Sequence, residues 1–169
     1  LTASVRGVPR QLNFFIGIQT TRSDYKGTDV MYPVLQAVQA KYPDLCRITK
    51  VENVPFARYQ QLMDDADVQL DQLYSYTPSM NSLVAMGKGI TVVGGGEPEN
   101  YELIGETELR PIVNVVPDEQ DIYRALEELV LHKERIPRLS AESIEYVRRH
   151  HDHVDVARRY ADYWERSHC

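Results

Sequence analysis

The chain has 169 residues, of which 43% are hydrophobic and 26% charged, enough to bury one full core and short for two, so fibrous, collagen-like and strongly disordered classes are excluded. Its formal net charge of −6 argues against a surface dedicated to nucleic acid, whose phosphates must be neutralised by lysine and arginine. Cys46, in an apolar run, and Cys169, the last residue, form neither a metal pattern nor a disulfide framework, so a reducing, cytoplasmic setting is expected, and no apolar run approaches the roughly 20 residues of a membrane span.

Residues 1–11 (LTASVRGVPRQ) read as a polar connector, as if cut from a longer chain, and residues 12–169 as a single domain. Leu12–Ile18 (LNFFIGI) is a continuous apolar run, the pattern of a central parallel strand covered on both faces. Residues 19–27 form a polar turn. Thr28 is then placed to cap a helix through Val30, Met31, Val34, Leu35 and Val38, with Pro33 expected to delay or kink its start. Residues 45–51 (LCRITKV) alternate as a strand does, and Pro55 opens a helix carrying Phe56, Tyr59, Leu62 and Met63. Residues 67–73 (DVQLDQL) are strand-like, 80–88 helical and 90–93 (ITVV) strand-like again, before Gly94, Gly95 and Gly96 force a loop. Residues 111–116 (PIVNVV) supply a fifth strand. Asp118 caps a helix to His132 that buries Ile122, Leu126, Leu129 and Val130, and residues 140–165 are helical and highly charged.

Strands alternating with helices require parallel pairing and right-handed crossovers: an α/β fold, a three-layer α/β/α Rossmann-like domain with five to six parallel strands and extra C-terminal helices. Ligands of such sheets bind beyond the carboxyl ends of the strands, which singles out residues 19–27, 52–55, 73–79 and 94–100.

The first of these loops sets Thr20, Thr21, Arg22 and Lys26 before a helix start, which reads either as a phosphate cradle or as a solvated turn. It is neither the Walker glycine-rich loop nor G-x-G-x-x-G. In the third loop Ser79 is a natural helix cap, and the backbone donors of Ser79, Met80 and Asn81 also suit a phosphate; the two roles are compatible. The fourth places Glu97 and Glu99 after three glycines, a backbone able to approach a ligand beside carboxylates that bind hydroxyls, or else merely solvated glutamates. Asp71, in an otherwise apolar strand, needs a partner and reads as a structural hydrogen-bonding residue. No metal is expected: His150-His151-Asp152-His153 reads as a break between two surface helices, since neighbouring helical positions point apart. Val156, Tyr160, Tyr163 and Trp164 give the last helix an apolar stripe expected to dock on its own domain.

With these features in order, residues 14–164 resemble the C-terminal domain of retaining GT-B glycosyltransferases. The carriers are the glycine-ended first strand, Lys26-Gly27 before the first helix, Ala66-Asp67-Val68 ahead of the third strand, the segment LVAMGKGITV over residues 83–92, and Gly95-Gly96 with Glu99. The terminal helices resemble the family's tail, which packs back toward the N-terminal domain. The resemblance implies a donor site. Arg22 and Lys26 take the diphosphate; the amides of Ser79, Met80 and Asn81 take phosphate or sugar; Asn53, Val54, Tyr76, Glu97 and Glu99 lie toward base or sugar. It implies hexosyl transfer in carbohydrate biosynthesis, from a nucleotide-sugar as substrate to a saccharide or other acceptor, with no further cofactor. The cations there would stabilise the departing nucleoside diphosphate as charge develops. The implied partners are the nucleotide-sugar, an N-terminal domain of the same polypeptide and, for the full-length enzyme, a membrane surface approached peripherally.

The family's Glu-x7-Glu pair falls on Tyr76 and Val84, and Thr77-Pro78-Ser79 replaces its glycine-rich turn, so ribose recognition by the usual carboxylate is impossible. A catalytically degenerate nucleotide-binding or assembly module is therefore the alternative. A flavodoxin-like or response-regulator domain is a third reading, the latter disfavoured because the first strand does not end in an acidic pair.

Overall fold

The computed structural model describes residues 3–167; the start of the expected connector and Cys169 lie outside the described residues. Five strands, β1 (Leu12–Ile18), β2 (Cys46–Glu52), β3 (Val68–Leu70), β4 (Thr91–Gly94) and β5 (Val113–Asn114), form one parallel sheet in the order β2-β1-β3-β4-β5. The order reverses beside β1, whose neighbours are β2 on one side and β3 on the other. A crevice opens at such a switch point because the connections on either side of it leave toward opposite faces.

Side-chain alternation along β1 builds two cores. Leu12, Phe14, Ile16 and Ile18 join Met31, Leu35 and Val38 of α2 (Thr28–Lys41) and Ile122, Leu126 and Leu129 of α6 (Glu119–Leu131). Phe15 points the other way, into a cluster with Met63 of α3 (Phe56–Met63), Ala85 and Met86 of α4 (Met80–Gly87), Tyr101 of α5 (Pro98–Ile104) and Tyr146 of α7 (Ile136–His150). Two helical layers thus enclose the sheet, and α8 (His153–Ser167) follows as the last element.

The structure corrects several local expectations. A single turn, α1 (Ser23–Lys26), precedes α2, and α2 is capped by Gly27 at φ 74° while Thr28 is its first residue, buried with its hydroxyl 2.9 Å from that of Ser23. A Cβ on Gly27 would come within 2.6 Å of Leu73 Cβ, so this left-handed corner demands glycine for space as well as for backbone. Pro33 lies inside α2 without delaying it; the helix forgoes one backbone bond, a loss that burial of Met31, Val34, Leu35 and Val38 offsets. β3 ends at Leu70 rather than Leu73, because Leu73 N–H donates to Lys26 O at 2.8 Å and draws the chain away from the sheet. The fifth strand is two residues, not six.

Three corrections concern helices. α5 occupies a stretch expected to begin as loop, with Pro98 in its first turn and Gly105 closing it at φ 70°. α7 starts at Ile136, earlier than expected, and is a packed rather than a surface helix, burying Ile136, Leu139, Ser140, Ser143 and Tyr146. The break at His151-Asp152 stands where the sequence put it. α8 does not dock as expected: none of its residues is buried, and Tyr160, Tyr163 and Trp164 are each more than 60% exposed.

Candidate functional site

At the carboxyl ends of β1 and β2 lies a cleft of about 90 Å³ lined by Gly17, Ile18, Gln19, Lys26, Val51, Asn53, Val54, Phe56, Tyr59 and Asn81. Lys26, Asn53, Val54 and Asn81, all singled out from the sequence, therefore meet in one place although they come from the end of α1, the turn after β2 and the start of α4. Glycine is required at position 17 of the wall, where a Cβ would sit 2.2 Å from the Tyr59 ring. That ring packs edge-on against Phe15, with centroids 5.0 Å apart, and its hydroxyl accepts from Gln69 Nε2 at 2.9 Å. Burial pushes the Tyr59 phenol well up, with the nearby Asp71 charge adding to it, so the cleft presents a neutral hydroxyl.

Asn53 has a left-handed backbone, φ 50°, which asparagine tolerates better than most residues. Its side-chain oxygen accepts from Thr20 N–H at 3.1 Å and its amide donates to Thr20 Oγ1 at 3.1 Å. The side chain expected to face a base is thus engaged in tying the turn after β2 to the turn after β1.

Asp71 lies behind the cleft with 5% exposure. Its Oδ1 is 3.4 Å from Lys26 Nζ, and its Oδ2 accepts from Ser82 Oγ at 2.6 Å and from Ser79 Oγ. Ser79 in turn caps α4, its hydroxyl oxygen accepting from Asn81 N–H at 3.1 Å and Ser82 N–H at 3.3 Å. The cap expected at Ser79 is present, and it engages Asn81, one of the three amides read as phosphate donors. Asp71, read as structural, also contacts the cation of the cleft.

A second hollow of about 320 Å³ lies toward β5, lined by Leu73, Tyr74, Ser75, Tyr76, Glu97, Val116 and Pro117. It brings Tyr76 and Glu97 together, away from the first cleft. The glycines before Glu97 do not open the backbone to a ligand as read from sequence. A Cβ on Gly95 would sit 1.8 Å from Ser75 O, and Gly95 N–H and Glu97 N–H donate to Gln72 O and Tyr76 O. Glycine here lets two loops touch. Val84 is half-buried on α4 and packs against the second core, whereas Tyr76 is 67% exposed. Arg22, at the end of a 3-10 turn (Thr20–Arg22), and Glu99, in the first turn of α5, are exposed and line neither cavity.

The histidine run also has a use that the sequence did not disclose. His150 Nε2 lies 2.7 Å from the buried Glu106 carboxylate, which also accepts from the amides of Glu108 and Leu109 at 2.6 and 2.9 Å. The His150 hydrogen bond, then the two amides, hold Glu106 down at about 2. His151 lies against Tyr146 with ring centroids 5.5 Å apart and the planes tilted by 43°, and burial lowers its basicity. Among the described residues no group of three or more His, Cys, Asp or Glu side chains is arranged to hold a metal ion, and no helix is long and apolar enough to cross a membrane.

No family model matches the chain, and no curated protein does. Solved structures do match its fold. HepE of Anabaena in complex with UDP and glucose superposes with a TM-score of 0.65 at 13% identity, over 94% of this chain and 49% of that one. WaaG, a glycosyltransferase involved in lipopolysaccharide biosynthesis, gives 0.58 at 11% identity over 82% of this chain and 43% of that one. The catalytic domain of starch synthase IV from Arabidopsis thaliana, bound to ADP and acarbose, gives 0.57 at 12% identity over 98% and 40%. The chain spans half or less of the length of these proteins and has the fold of one Rossmann-like half of a GT-B glycosyltransferase.

Proposed function

We propose that this domain is the C-terminal, donor-binding half of a retaining glycosyltransferase acting in carbohydrate biosynthesis in the cytoplasm, and that the cleft beyond β1 and β2 receives the nucleoside diphosphate of a nucleotide-sugar. The observation that carries this reading is the convergence of Lys26, Asn53, Val54 and Asn81 on one cleft at the carboxyl ends of the strands, beside the point where the strand order reverses. Lys26 supplies a cation whose stem is mostly buried, so its amine meets phosphate oxygens at low cost in ordering. Arg22, exposed at the rim, adds a second cation that swings in. Together they neutralise the leaving diphosphate as the bond to the sugar breaks, while the acceptor and the rest of the catalytic groups come from an N-terminal domain. The exposed aromatic stripe of α8 suits a helix that packs on that domain.

Melting the chain with UDP, ADP and GDP tests the reading. At about a hundredfold excess over Kd, one of them is expected to raise Tm by roughly 5–10 °C, and Lys26→Ala to remove most of the rise by weakening binding. No shift with any of the three would sink the proposal.

A second reading, a module that binds the nucleotide without turnover, draws on Tyr76 and Val84, neither of which offers a carboxylate for ribose or sugar. Binding by the full-length protein with no sugar transfer or donor hydrolysis would favour it.

A further inference from the structure

We propose that Asp71 is the positioning residue of the cleft, holding the Lys26 amine and the start of α4 as one preset unit for the diphosphate. The inference rests on the reading of Lys26 as a phosphate ligand and adds the group that makes it one.

Asp71 follows β3 directly, and its backbone amide donates to Val93 O at 3.2 Å, so its Cα is fixed by the sheet rather than by a loop. Its carboxylate collects three side-chain donors from the segments that flank the mouth: Lys26, from 45 positions earlier, and Ser79 and Ser82 of the α4 start. A carboxylate at 5% exposure is costly unless its lone pairs are used. A sheet strand closed by an apolar residue would satisfy the fold at less cost, and two hydroxyls already satisfy Oδ2. The Lys26 contact serves Oδ1, and of the three donors Lys26 is the one that lines the cleft. At 3.4 Å it is longer than the 2.7–2.9 Å of a tight charge-assisted bond, so the amine is oriented by Asp71 and retains protons for a ligand oxygen. Because Ser79 also caps α4, the same carboxylate fixes the positive end of that helix relative to the amine. A free lysine loses its rotamer freedom on binding, which is on the order of tenfold in affinity; Asp71 imposes that loss in advance.

Asp71→Asn tests this, because it keeps an acceptor for the serine hydroxyls and removes the charge that holds the amine. Without nucleotide, acetylation of Lys26 by an active ester, read by mass spectrometry, is expected to rise severalfold in Asp71→Asn. Calorimetric titration with UDP and ADP is expected to show affinity about tenfold weaker, and the same change on a Lys26→Ala background is expected to alter affinity less than twofold. Unchanged acetylation of Lys26 overturns the proposal, as does unchanged or tighter nucleotide binding in Asp71→Asn. An equal loss with and without Lys26 overturns it too, since a residue acting only on the fold would act on both backgrounds. Asp71→Ser carries the same expectations where Asp71→Asn is poorly folded. If acetylation rises but the unaltered chain binds no nucleotide, the hold on Lys26 stands and the donor-site reading fails.

Discussion

α7 and α8 are consecutive helices of fifteen residues, both carrying an apolar stripe on a charged background, yet α7 buries five residues and α8 none. The difference lies in what waits opposite. α7 meets α4 with small residues at the contact, so that Ser140 Oγ reaches Gly89 O at 2.6 Å and accepts from Arg6 N–H at 2.8 Å. Tyr146 is fully buried, edge-on to Tyr101 at 5.9 Å, with its hydroxyl accepting from Asn100 Nδ2 at 3.0 Å. α8 instead leaves Val154, Tyr160, Tyr163 and Trp164 at the surface. An apolar stripe therefore does not by itself bury a helix against the rest of its domain.

The contrast between the two helices is most exposed to test at Tyr146. Replacing it by alanine removes a fully buried ring and orphans Asn100, at a cost of about 3–5 kcal/mol, whereas Tyr146→Phe, which loses only the hydrogen bond, costs about 1 kcal/mol. Chemical denaturation measures both; a loss below about 1 kcal/mol for the alanine variant would mean that α7 is not anchored by this contact. A smaller effect is expected at the end of the same helix. Glu106 is held at about 2, against an ordinary value of 4.5, chiefly by His150. A depressed carboxylate stabilises the fold above its unfolded value, and that stabilisation is lost as pH falls from about 4.5 toward 2. His150→Gln is expected to lower stability most near neutral pH and progressively less as pH falls from about 4.5 toward 2, so that stability depends less steeply on pH in that window. Denaturation measured across that range checks it, and an unchanged slope would separate Glu106 from the pH dependence of stability.

What the sequence disclosed follows from how local the cause is. The continuous apolar run of β1, the cap at Asp118 and the break at His151-Asp152 are set by neighbouring residues, and each appears as read. α5 carried its own signals, Pro98 and Glu99 in the first turn and Gly105 at the end, but the same residues also fit a ligand loop. The pairing of Asp71 with Lys26 and that of Glu106 with His150 span 45 and 44 positions. No periodicity links such partners; only the folded crossovers bring them together. The glycines at 94–96 show the remaining kind of failure, because their composition requires a close approach but does not say that Ser75 O, rather than a ligand, is what approaches.

The smallest effect expected is on α8. Changing Tyr160 and Tyr163, 63% and 64% exposed, to serine should alter the stability of this chain by no more than about 0.5 kcal/mol each, since exposed side chains away from caps and networks contribute little. Nucleotide binding at the cleft should be equally indifferent, because neither residue lines it. The same pair of changes in a longer polypeptide that includes an N-terminal domain should cost far more, as two aromatic rings then lose a buried contact. Denaturation of the two forms side by side separates the cases. A loss of several kcal/mol already in the short chain would place the partner of α8 within this domain, and equal indifference in both would leave its stripe without a role in joining the two halves.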